Sequence, residues 1–218
     1  MLPGLGHDHQ LFNGKPTVAT LTEVTTYAVF DGSNNAFFIA GGLGAAGDLV
    51  IATGFYDNPT AGAAVPGGFT QLALLDDTTF SQVIWAAYRI LDSGDVGLHT
   101  YFQQGGGSSY ATMQWVLRPN IAISELIIPA WTVSGTTDGV PSNINISAMG
   151  NPAAAACMYL SSGALSAPAM SVSSGGFAPT GITNILMRIT QTTSGGVTCS
   201  TNDDGTSNGM IGGVIGVR

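Results

Sequence analysis

Residues 81–91 read SQVIWAAYRIL, and this stretch decides how the rest of the chain is read. With a period of two, Val83, Trp85 and Ala87 share one side, with Arg89 following. Ile84, Ala86, Tyr88 and Ile90 share the other. Both sides are apolar, so this is expected to be a central strand covered on both faces.

Working outward, short β-prone runs follow one another, separated by Gly, Asn, Asp and Ser. Upstream, Asp48–Phe55 (DLVIATGF) opens from a glycine and reads as a second buried strand. Downstream, in Tyr110–Leu117 (YATMQWVL), Thr112, Gln114 and Val116 oppose Met113, Trp115 and Leu117, so one face is expected to be half-wet. ITNILMRIT (182–190) reads as a strand from its β-branched content. In NPAAAACMYL (151–160), Ala155–Leu160 reads as a strand, and the stretch could open as a helical turn after Asn151-Pro152. About a dozen such runs at this spacing predict an all-β chain, an antiparallel β-sandwich of jelly-roll-like or Ig-like type with no substantial helix. Residues 1–16 read as an extended arm and residues 17–218 as one large domain, with two lobes dividing near 119–124 as the alternative.

Composition agrees with strands and turns. Of 218 residues, 8% are charged, against about 25% in typical soluble domains. Lys15 is the sole lysine, and Glu23 and Glu125 are the only glutamates. The many Glu, Lys and Arg residues that long surface helices place on their wet faces are missing, and Gly, at 31 residues, is abundant instead. A net charge of −8 argues against nucleic acid and against anionic membranes as partners. No apolar run reaches the roughly 18 residues a spanning helix needs.

Motifs for chemistry are sparse. Gly42-x-Gly44-x-x-Gly47 has dinucleotide-fingerprint spacing, but the residues that follow read as a strand where that motif needs a helix. A tight turn is the reading. There is no Gly-x-Ser-x-Gly elbow and no His-Glu-x-x-His, and His99 sits in a strand pattern with no acidic partner nearby. Asp76-Asp77 reads as a solvated turn. Asp203 and Asp204, in STNDDGTSNG, offer oxygen ligands without the twelve-residue calcium pattern. Cys157 and Cys199 form no short-spaced metal motif; a disulfide and a pair of buried thiols both remain open. The expectation is a chain with no enzymatic activity and no cofactor.

Residues 41–95, GGLGAAGDLVIATGFYDNPTAGAAVPGGFTQLALLDDTTFSQVIWAAYRILDSGD, carry a resemblance. Small-Gly-Asp-Leu precedes an apolar strand (Gly47, Asp48, Leu49). A loop leads to Pro-x-Gly-aromatic-Thr (Pro66, Gly68, Phe69, Thr70), and a later strand closes on Tyr88-Arg89. With TTYAVFDGSNNAFFIAGGLGA before it, the pattern is similar to β-sandwich proteins on the virion surface of tailed bacteriophages, of the head decoration (cement) or spike type. It covers residues 24–103. Phe69 stands where Trp is commoner, and nothing from about Asn120 onward matches. The resemblance implies a structural protein on the capsid surface. Its partners would be the major capsid protein or other virion proteins, and a homo-oligomer, with a trimer favoured. A tail-associated module that binds a receptor or glycan is the alternative.

The opening MLPGLGHDHQLF is expected to supply the attachment, through Leu2, Pro3, His7, His9, Leu11 and Phe12. His7 and His9, two apart on an extended segment, point the same way and are candidate metal ligands, though a structural zinc site needs four.

Overall fold

The computed structural model describes residues 19–30, 36–39, 44–57, 65, 67–77, 82–95, 99–103, 109–128, 130–134, 144–145, 154–161, 170–172, 186–192, 198–201 and 210–218. Among these residues the chain is all-β, with antiparallel sheets and no helix.

The largest sheet is built from β1 (Leu21–Phe30), β3 (Leu49–Asp57), β4 (Thr70–Asp77), β5 (Gln82–Ile90) and β7 (Ser109–Pro119), in the order β1-β7-β3-β5-β4. A short pair joins β2 (Ala36–Ile39) to β6 (His99–Gln103). A further sheet runs β13 (Leu186–Thr192), β11 (Ala154–Ser161), β15 (Met210–Val217), β8 (Leu126–Ile127). β9 (Thr132–Ser134) also pairs with β15. The remaining strands, β10 (Ile144–Asn145), β14 (Thr198–Thr201) and β12 (Met170–Val172), form a sheet in that order. The segment 154–161 is a strand, as read for Ala155–Leu160, and pairs on both sides, with β13 and β15; the turn allowed after Asn151-Pro152 lies largely outside the described residues. Cys157 and Cys199 lie in strands of different sheets, and their side chains fall outside the described residues.

β3 is the centre of the large sheet. It pairs with β5 on one side (Ile51↔Tyr88, Ala52↔Ala87) and with β7 on the other (Ile51↔Trp115, Ala52↔Gln114). Leu49, Val50, Ile51 and Ala52 are all fully buried. The alternation read from the sequence holds in β5. Ile84 and Ala86 join Leu49, Ile51, Trp115 and Leu117 in one buried cluster, and Val83, Trp85 and Ala87 join Val50, Ala52 and Val116 in another. The first cluster also takes in Trp131, Ala154, Ala156, Ile211, Ile215 and Val217, so side chains of the β13-β11-β15-β8 sheet complete it. The second is closed in part by Phe69, Val65 and Leu91. Burying each of Leu49, Val50 and Ile51 contributes roughly 1.5–3 kcal/mol. β7 departs from expectation: Gln114 and Val116 are as buried as Trp115 and Leu117, so its supposed wet face is covered. On that face Val116 belongs to the second cluster, which Phe69, Val65 and Leu91 help to close.

Glycine makes room for tryptophan in two places. Gly54 is paired with Trp85 across the β3–β5 ladder, and a Cβ on Gly54 would lie 2.3 Å from the indole. A Cβ on Gly213 of β15 would lie 2.0 Å from the ring of Trp131. Both indoles therefore lie directly on strand backbone. Gly54→Ala should cost about 1–3 kcal/mol through overpacking, since Trp85 is fully buried and has nowhere to move. A urea-unfolding midpoint unchanged from the parent would show that the indole is not seated there.

Candidate functional site

The two buried carboxylates of the described residues, Asp48 and Asp95, stand at one end of the large sheet, where β3 begins, β5 and β7 end and β1 begins. Gly47 turns the chain into β3 with φ at +91°, a conformation that a side chain would strain. Asp48 follows and is 2% exposed. Its Oδ2 accepts from the Ala45 N–H at 2.7 Å and from Nη2 of Arg118 at 2.8 Å, while Oδ1 accepts from Nε of Arg118 at 2.9 Å. This two-pronged contact is the strong form of the pair. The Asp48 N–H donates to the Ala45 carbonyl at 3.0 Å, and the Asp48 carbonyl accepts from the Leu91 N–H at 2.9 Å. Asp48 thus closes the turn, continues the ladder toward β5 and ties in the end of β7. Hydrogen bonding to Asp48, and then its charge, raises the Arg118 pKa above its ordinary value.

A second buried carboxylate closes the turn after β5. Asp95 accepts from Nη2 of Arg89 at 2.8 Å and from the Asp92 N–H at 2.9 Å, and Asp92 accepts from the Gly94 N–H at 2.7 Å. On β1, Glu23 accepts from Nε1 of Trp115 at 3.1 Å. The start of β1 is clamped beside Pro119: the Thr20 N–H donates to Oδ1 of Asn120 at 2.7 Å, and the Asn120 N–H donates back to the Thr20 carbonyl at 3.1 Å. Nearby, the Arg218 carbonyl accepts from Ser124, and the Arg218 side chain pairs with Glu125 at 2.7 Å.

Two clefts open at this end and share Arg118 and Pro119 as their common ridge. The larger, about 420 Å³, runs between the Ala45–Asp48 turn, Ile90 and the 119–123 segment, so its walls are mainly apolar. Ile90 is 40% exposed, one of two large apolar residues so exposed among the described residues, with Val133. The smaller, about 410 Å³, is lined by Thr22, Glu23 and Val24. Arg118, half exposed while Asp48 is not, turns the positive end of the pair outward.

The residues singled out from the sequence are distributed as follows. Gly47, Asp48 and Arg89 stand at this end of the sheet. Gly68, with φ at +81°, turns the chain so that Phe69 is buried, and Tyr88 packs half-buried against the main cluster. Pro66 lies outside the described residues, as do Leu2, Pro3, His7, His9, Leu11, Phe12, Asp203 and Asp204. Gly44 and Gly47 precede a strand, and a Cβ on Gly44 would lie 2.5 Å from Leu91 Cδ1, so the fingerprint-like spacing serves turn and packing. Asp76 is exposed near the end of β4. Among the described residues no group of three or more His, Cys, Asp or Glu could hold a metal ion, and no helix is long and apolar enough to cross a membrane. The reading from sequence missed Arg118 and the apolar cleft. The alternation Ile121-Ala122-Ile123 after Pro119 was the available signal for the latter.

Comparison with protein-family models, with curated proteins and with solved structures found no match to the chain. The geometry is therefore read on its own terms. The Asp48 carboxylate is consumed by Arg118 and the turn, and the Asp95 carboxylate by Arg89 and its own turn, an arrangement suited to holding structure. Asp48→Ala should destabilise the chain by about 1–3 kcal/mol by leaving the Ala45 N–H without its acceptor. Asp48→Asn, which keeps an oxygen for that N–H, should lose less. Equal losses, measured by urea unfolding, would show that the turn does not depend on this acceptor.

Proposed function

We propose that the chain is a non-enzymatic structural protein of a bacteriophage particle. In this reading it is a β-sandwich that decorates or stabilises the capsid surface, as a cement protein or head spike. It contacts the major capsid protein or other virion proteins and attaches through residues 1–16. A homo-oligomer, with a trimer favoured, fits the same reading.

One observation carries the proposal. The residues of the sequence pattern that the structure describes are occupied by folding: Gly47 and Gly68 by turns, Phe69 and Tyr88 by packing, Asp48 and Arg89 by ion pairs. A pattern so occupied marks a scaffold rather than a reaction centre. The sandwich is supported by the buried cluster to which two sheets contribute, and a single large domain by its inclusion of residues from both sides of 119–124. The low content of Lys and Glu suits a protein that is docked in an assembly.

Cryo-electron microscopy of intact particles tests the proposal. Three-fold clusters on the head that disappear when the gene is deleted are the expected result. Particles that keep all their surface density after deletion would contradict it, and loss of density at the tail alone would move the assignment to a tail-associated binding module. Removing residues 1–16 should leave the far-ultraviolet strand signal intact and abolish attachment to particles that lack the protein.

A further inference from the structure

We infer that residues 130–134 are a displaceable cover on the edge of β15. The edge they bare accepts an extended strand of another chain that carries an aromatic residue.

β8 and β9 pair with the same edge of β15, but not in one register. The partners are Gly216↔Ile127 and Val217↔Leu126 in β8, and Met210↔Ser134, Ile211↔Val133 and Gly212↔Thr132 in β9. Between the two runs, residues 128–131 stand against 213–215, so the covering strand has one residue more than its partner, as in a β-bulge. Continuing the β9 register sets Trp131 opposite Gly213, where its ring lies on bare backbone.

The two runs are held unequally. Next to β8, Glu125 and Arg218 exchange both backbone hydrogen bonds, at 3.0 and 3.3 Å, and their side chains pair at 2.7 Å. β9 is outermost on this edge among the described residues: Val133 is 45% exposed although its cross-strand partner Ile211 is fully buried, and Ala130 is exposed. The Trp131 ring holds this run, yet its Nε1–H is buried with no acceptor among the described residues, which offsets part of the gain from burying the ring. A short, interrupted ladder with exposed side chains is the kind of element that opens without the rest of the fold.

β15 stays behind when the cover lifts, because it pairs with β11 from Ala154 to Ser161 without a break in register. Its Ile211, Val214, Ile215 and Val217 are fully buried, and its sequence, MIGGVIGV, has no charge to discourage pairing. Backbone groups along such an edge bind any extended strand, and side-chain pockets select among them. Here the selecting pocket is the seat on Gly213, which already takes an indole.

Hydrogen exchange on the full chain reads the opening. Arg218 turns its N–H to Glu125, so alternation along β15 turns the Gly212 N–H to the same edge and those of Ile211 and Gly213 to β11. Gly212 should be at least about tenfold less protected than Ile211 and Gly213, through an opening insensitive to urea. Equal protection of the three would overturn the cover. A fluorescently labelled peptide of residues 126–134, LIIPAWTVS, reads acceptance. It should bind the full chain, and the same peptide carrying Trp131→Ala should bind at least about tenfold more weakly. A full chain carrying Trp131→Ala should take up the unaltered peptide faster than the parent, and the parent's two readouts stand whether or not that variant folds. No binding to the parent, or binding indifferent to the peptide's aromatic residue, would overturn the acceptor edge.

Discussion

The rest of the structure depends on one constraint: β3 is covered on both faces and paired on both edges. Such a strand has no route for its polar backbone groups except the ladders to β5 and β7, and no route for its side chains except the two clusters on either side. It must therefore start abruptly from a turn whose own polar groups are satisfied. Gly47 supplies the backbone conformation and Asp48 the hydrogen bonds, and Arg118 supplies the counter-charge from the strand next door. The buried carboxylate is a consequence of how tightly the strand is enclosed.

The same enclosure gives two glycines a packing role. Large indoles close the clusters, and they lie on strand backbone where glycine leaves room, Trp85 on Gly54 and Trp131 on Gly213. Trp115 is fixed differently, by donating to Glu23 from the strand beside it. One of the two glutamates is thereby spent on orienting a core residue.

Much of this was legible in the sequence, because local pattern and global position agree in the central strands. The double-sided apolar alternation of 83–90 placed β5 inside a sheet, and Gly47-Asp48 and Gly68-Phe69 announced the turns that the structure places there. Gln114 was misread because its alternation says which residues share a face and nothing about whether that face is covered; the residues packed around Val116 on that face, Phe69, Val65 and Leu91 among them, come from other parts of the chain. Arg118 was silent for a related reason: its partner is 70 residues away, and only the β3–β7 register brings the two together. The histidine and aspartate candidates, His7, His9, Asp203 and Asp204, fall outside the described residues.

That end of the molecule gathers the start of β1, the Glu125–Arg218 pair at the close of β15, both clefts and both buried acid–arginine pairs. Everything there presumes that β3 and β5 form the unyielding centre. Native-state hydrogen exchange in increasing urea measures this most directly. Amides of Val50, Ala52, Ile84 and Ala86 should exchange only through global unfolding, with the full denaturant dependence of that transition. Exchange of these amides through local opening, insensitive to urea and faster than that of β4, would contradict the account.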